Sequence, residues 1–130
     1  MSARLREHGI TPTLQRLQVA EVMLSAPVHL TADQVLARAR ALTPEISRAT
    51  VYSTLSLLAE RGLIRTLVIE GEALVFDSTL EPHYHLFDVD TRTLHDLSPT
   101  ELKLSTPPGL ERDYELLGID VVVKARRRSA

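Results

Sequence analysis

Four helix-bounding residues divide the first half of this chain more firmly than any other feature in it: Pro12 near the start of the first helix, and Pro27, Pro44 and Gly62 at helix ends. Proline lacks the backbone N–H and clashes with the preceding turn, and glycine readily takes the left-handed conformation that closes a helix. Between these bounds the apolar residues recur at helical spacing. Residues 13–25 place Leu14, Leu17, Val19, Val22 and Leu24 among polar neighbours. Thr31 with Gln34 reads as a capping box that opens a second helix over 32–42, with Val35, Leu36, Ala39 and Leu42 as its apolar stripe. Ser47 caps a third helix over 48–61, with Val51, Leu55, Leu57 and Leu58 as its buried face. Two β-prone runs, 63–69 and 73–76, are joined by Glu70, Gly71 and Glu72, which is a hairpin signal. Three helices and a hairpin in this order make the pattern of a winged helix-turn-helix, whose third helix is offered to the DNA major groove. A generic small α+β domain has the same order of elements.

The second half changes character. Residues 83–89 alternate toward a strand, Thr91–Arg92 can turn, and 93–97 reads as its partner strand. Ser98 is placed to cap a short helix over 99–104, and Pro107, Pro108 and Gly109 form a loop. The β-branched stretch within 114–124 predicts a buried strand. The expected organisation is a winged helix over 1–77, a linker over 78–82 and a small α/β domain over 83–130, giving an α+β fold class.

Composition narrows the chemistry. The 130 residues are 44% hydrophobic with no tryptophan and few aromatics, so the core must be built mainly from Leu, Val, Ile and Ala. The chain has no cysteine. Disulfides, iron–sulfur clusters and a cysteine-based structural zinc site are therefore excluded, and any metal must be held by imidazole and carboxylate. No apolar run approaches the roughly 20 residues of a membrane helix, and the first residues lack the apolar centre of a signal peptide. The expected location is cytoplasmic, with no membrane partner. Residues 1–66 hold eight arginines against five acids, whereas 70–120 hold twelve acids against three basic residues. The basic front suits phosphate and the acidic rear suits cations, although chance asymmetry gives the same counts.

The most specific stretch is residues 47–64, SRATVYSTLSLLAERGLI. Ser47, Thr50, Tyr52, Ser53 and Thr54 crowd the first turns of the third helix. Hydroxyls there can bind phosphate, and the Tyr52 ring can lie against a thymine methyl. Arg16, Arg48 and Arg65 are natural phosphate contacts. Taken singly, each residue also reads as a cap or a packing residue. Together with GITPTLQRLQVAEVM and HLTADQVL, this stretch resembles the DNA-binding domain of the ferric uptake regulator (Fur) superfamily over residues 9–77. The resemblance implies a homodimer that binds AT-rich inverted repeats in double-stranded DNA and represses transcription. Tyr52 matches the base-contacting tyrosine of that superfamily, and Ser53 departs from members with arginine there.

His83 and His85 are two residues apart on a strand, so both rings point the same way and can share one ion. Asp77 precedes His83 by six residues, Asp96 follows it by thirteen, and His29 lies ahead of the second helix. Three imidazoles and two carboxylates suit Fe²⁺, Mn²⁺ or Zn²⁺. The same five residues match the regulatory metal site of the superfamily and are similar to its peroxide-regulator (PerR) branch. In that branch peroxide is sensed by oxidation of a ligand histidine, for which His29 and His83 are the matching positions. Residues 75–97 and 107–128 resemble instead the iron response regulator (Irr) branch, which implies iron homeostasis. There His83 or His85 can serve as an axial haem ligand. Two other readings use the same residues: a non-haem iron enzyme with a His/carboxylate site, and a winged helix serving only protein contacts. No nucleophile motif or phosphate loop supports the enzyme.

Overall fold

The structure, a computed structural model, describes residues 1–129. The chain forms two compact units, divided between Leu80 and Glu81.

The first unit opens with a helix not anticipated from the sequence, α1 (Ser2–Glu7). Leu5 and Ile10 carry this segment into the core. The Arg61 guanidinium clasps it by donating to the carbonyls of His8 and Gly9, each at 3.1 Å. Gly9 has φ +73°, and a Cβ at this position would strike the guanidinium. Glycine thus meets two needs here, conformation and space.

Three helices follow: α2 (Leu14–Leu24), α3 (Ala32–Leu42) and α4 (Arg48–Glu60). Thr31 and Gln34 form the anticipated capping box, and the Ser47 side chain accepts from the Thr50 N–H. Gly62 closes α4 at φ +78°. The buried faces differ in detail from the expected stripes. In α2 the buried residues are Val19, Ala20 and Met23, and Leu14 is exposed. In α3, Ala32 joins Val35, Leu36 and Ala39, whereas Leu42 is exposed. Thr54, counted from sequence among the DNA-facing hydroxyls, is buried with Val51, Leu55 and Leu58. It follows Val51 by three residues and so shares that residue's face. Full burial of a leucine such as Leu55 or Leu58 contributes about 1.5–3 kcal/mol relative to exposure.

A three-stranded antiparallel sheet completes the unit: β1 (His29–Thr31), β2 (Arg65–Leu67) and β3 (Val75–Asp77), in the order β1-β3-β2. β2 and β3 form the wing. β1 was not visible in the sequence, because three residues between Pro27 and a capping box carry no period. Its existence depends on pairing with β3, where His29 lies opposite Asp77 and Leu30 opposite Phe76. The Ser78 hydroxyl reinforces the junction by accepting from the Val28 N–H at 2.9 Å.

The second unit is a three-stranded sheet of β4 (Tyr84–Asp88), β5 (Thr93–Leu97) and β6 (Val122–Ala125), with one short helix, α5 (Leu110–Asp113). β4 is central, antiparallel to β5 and parallel to β6. Asp88 ties the β4–β5 turn, its Oδ1 accepting from the backbone N–H groups of Asp90 at 3.0 Å and Thr91 at 3.1 Å. The Thr91 and Asp90 amides, with the Arg127 charge, hold its carboxyl below the usual range. Arg92 takes φ +58° in the same turn. A turn fastened in this way sets the register of the two strands.

Two expectations fail in this unit. No helix forms over 99–104; residues 99–101 make a turn. Ser98 does accept from the Thr100 N–H, and its own N–H meets the Glu101 carboxylate. An isolated turn does not propagate readily, because the helix nucleus costs more than it returns. The strand expected over 114–124 is confined to its end, Val122–Ala125. Gly118 interrupts the run, and Leu116, Leu117 and Ile119 are exposed. Pairing with β4 begins only where the Val121 carbonyl accepts from the His85 N–H at 3.1 Å.

Candidate functional site

The second unit brings three donors together. His85 and Asp96 lie directly opposite each other on β4 and β5, so their side chains share one face. The His85 Nε2 is 3.6 Å from Asp96 Oδ1, and the His83 Nε2 is 3.9 Å from the same oxygen. The two rings meet edge to face, with centroids 4.6 Å apart. One donor atom from each of the three residues lies within 4.8 Å of the others. Two ligands about 2.1 Å from a tetrahedral ion are spaced roughly 3.4 Å apart, so the cluster needs little contraction to hold one.

The protonation pattern of His83 suits a ligand. Its Nδ1 lies 2.7 Å from the Glu81 carbonyl. A carbonyl only accepts, so Nδ1 donates, and the neutral ring presents an unprotonated Nε2 to the cluster. His85 is buried, while His83 is partly covered. His95 faces the opposite side of the sheet, opposite Leu86, where its Nε2 meets the Thr93 hydroxyl at 3.1 Å. A slip of one residue in the β4–β5 register would exchange His95 for Asp96 beside His85, so the Asp88 turn is part of what builds the site.

The other two candidate ligands belong to the first unit. His29 on β1 and Asp77 on β3 are cross-strand partners and share a face, and Arg65 on β2 is paired with Asp77 from the other side. Asp77 is buried and its Oδ1 accepts from the Thr79 N–H at 2.8 Å.

The candidate DNA surface is also in the first unit. Arg48, Tyr52 and Ser53 are exposed at the start of α4, and Thr50 is partly covered. Thr50 and Ser53 are partly engaged within the helix: the Ser47 hydroxyl donates to Thr50 Oγ1 at 2.8 Å, and Ser53 donates to the Thr50 carbonyl at 3.1 Å. Arg16 donates to the Thr11 carbonyl at 3.0 Å, and Arg65 is exposed on β2. One residue that sequence reasoning missed stands among them. Asp33, in the first turn of α3, accepts from both the Arg48 guanidinium and the Tyr52 hydroxyl. Its hydrogen bond and charge raise the Arg48 guanidinium above its ordinary pKa. Asp33 reads from sequence only as an acid in a helix first turn, and nothing local links it to a residue fifteen positions away.

These features define a winged-helix protein joined to a small sheet that presents a histidine and carboxylate donor set. The profile of the ferric uptake regulator family matches residues 7–123, and the chain belongs to that family. Its members are metal-responsive transcription regulators and not enzymes, and they bind DNA and form dimers. The peroxide operon regulator of Bacillus subtilis (strain 168) is 33% identical over 81 residues, 62% of this chain and 56% of the relative. The peroxide-responsive repressor PerR of Staphylococcus aureus (strain Mu50 / ATCC 700699) is 32% identical over 84 residues, 65% of this chain and 57% of the relative. The matched stretch thus spans little more than half of these curated relatives. The fold matches a ferric uptake regulator from Pseudomonas aeruginosa solved with manganese, at a TM-score of 0.76 and 24% identity, over 98% of this chain and 97% of the other. Among the described residues no helix is long and apolar enough to cross a membrane.

Proposed function

We propose that this chain is a dimeric, Fe²⁺- or Mn²⁺-responsive repressor of transcription that binds AT-rich inverted repeats through α4 and the wing. The observation that carries the reading is the convergence of His83, His85 and Asp96, with the His83 tautomer set by the Glu81 carbonyl. His29 and Asp77 complete the ligand set from the first unit, supported by their shared face and by the burial of Asp77. Three neutral or anionic N and O donors favour a divalent first-row cation, Zn²⁺ included. Two imidazoles turned toward one carboxylate suit a small ion better than haem, which needs a single axial imidazole above a flat apolar slot.

When bound, the cation supplies a positive centre that neutralises the carboxylates and links their elements. Ligands drawn from both sides of the 78–82 linker make the orientation of the winged helix depend on loading, and DNA binding is favoured if the competent orientation binds metal more tightly. Arg16, Arg48, Arg65, Thr50 and Ser53 serve the phosphates and Tyr52 serves the bases. The regulated process is iron homeostasis. The names of the two curated relatives favour a second reading, peroxide response through His29 or His83.

The test is anaerobic titration of metal-stripped protein with Mn²⁺, followed by DNA binding with and without the metal. About one ion per chain is expected, lost in His83→Ala. Uptake indifferent to His83 would remove the site. Mass analysis of Fe²⁺-loaded protein after peroxide treatment separates the two signals: an oxygen added to His29 or His83 selects the peroxide reading, and unmodified histidines select iron level.

A further inference from the structure

Three exposed side chains from two helices meet at the start of α4. Asp33 Oδ1 accepts from the Arg48 guanidinium and from the Tyr52 hydroxyl, the latter at 3.3 Å. The Asp33 and Arg48 side chains are 68% and 59% exposed, and Tyr52 is 44% exposed. An ion pair this open to water contributes little to folding. Its position is more consequential than its strength, because it engages the tyrosine and the arginine that the proposed function assigns to base and phosphate.

We propose that Asp33 is a positioning residue that sets DNA specificity, holding the Tyr52 hydroxyl and the Arg48 guanidinium in place before a duplex arrives. The inference rests on α4 being the recognition helix. Two physical effects follow from the contact. Arg48 must exchange Asp33 for a phosphate before it can pair with any duplex, so indiscriminate binding is weakened. Tyr52, tethered through its hydroxyl, enters the groove with less side-chain freedom left to lose, so a matched sequence is favoured over a shuffled one. Asp33 thereby lowers affinity for DNA in general and widens the gap between operator and non-operator sequences.

The experiment uses the Mn²⁺-loaded full chain and two probes: the duplex that the wild-type protein selects from random-sequence DNA, and a shuffled duplex of the same composition. Asp33→Ala is expected to bind the shuffled duplex more tightly. It steepens the log–log salt dependence by about one counterion. The ratio of selected to shuffled affinity falls roughly tenfold, the scale of one lost base discrimination. Asp33→Asn keeps the acceptor and loses the charge, so it tightens non-specific binding while retaining most of the ratio. In an Arg48→Ala background, Asp33→Ala no longer steepens the salt dependence. A ratio within twofold of wild type for Asp33→Ala overturns the inference and leaves the DNA-binding reading standing. A steepened slope that persists without Arg48 also overturns it, because Asp33 then acts on the duplex directly. If the wild-type chain enriches no sequence at all, the reading of α4 fails and the inference fails with it.

Discussion

The two units are held together by different means. The first gathers side chains from every helix and from the sheet into one apolar cluster, with Leu5, Val19, Met23, Val35, Val51, Leu55 and Leu58 fully buried. Beyond Glu81 only His85, Phe87 and Asp88 are buried among the described residues, and two of those three are polar. The second unit pairs β4 with a strand on each side, along its whole length with β5 and over His85–Asp88 with β6, but has almost no apolar interior. A stretch of this size rarely stabilises itself by one small core and usually draws on metal or association. Tyr114, Leu117 and Ile119 are exposed in the same region and represent apolar surface still open to burial. The first unit thus carries an apolar core of its own, and the second has little beyond its strand pairing, so under the proposed function a bound cation adds most to the second.

The largest expected effect tests the core of the first unit. Leu55→Ala removes a fully buried side chain and should cost about 2–5 kcal/mol, read as a lower denaturation midpoint for the first-unit amides in hydrogen exchange. Equal loss of protection on β5 would show that the two units unfold as one and would erase the contrast.

A somewhat smaller effect sharpens the contrast from the other side. Mn²⁺ at about a hundredfold excess over its Kd should add about 2.7 kcal/mol of protection. The gain should be concentrated on β4 and β5 and be lost in His85→Ala. Protection gained evenly across α2, α3 and α4 would count against this difference between the units.

The smallest effect concerns the Asp88 turn. The fold lowers the pKa of this carboxyl, so its contribution is fully present above the ordinary carboxylate pKa and is lost as pH falls through the lowered folded value. Asp88→Asn removes that titration while keeping an acceptor for the turn amides. The second unit of the variant should be less stable near neutrality and show a shallower acid dependence than wild type. Parallel acid curves for the two proteins would mean that the turn does not depend on the Asp88 charge.

Much of the first unit was legible because its signals are local. A capping box, a Ser cap, prolines and Gly62 act within one helical turn, and they mark α3 and α4 nearly to the residue. The fine assignment of faces was less legible: Leu14 and Leu42 are apolar yet exposed, because the helices they end extend past the core. In the second unit the short strands β4 and β5 followed from alternation and a turn signal. β6 followed only in part: the β-branched run signalled a strand but not where it starts, since such a run becomes a strand only where another strand offers its backbone groups, and β4 offers them from Val121 to Ala125.

The site divides along the same line. The sequence by itself determined that His83 and His85 point one way, that Asp96 and His95 point opposite ways, and that no thiolate takes part. These are consequences of the two-residue strand repeat and of composition, which need no partner. Tertiary structure alone decided that Asp96 and not His95 stands opposite His85, that β1 sets His29 opposite Asp77, and that Asp33 reaches Arg48 and Tyr52. Each of those is a meeting of residues distant in the chain. Such meetings are chosen by register, turn geometry and the surfaces that burial brings together, and none of these is written in any short stretch of residues.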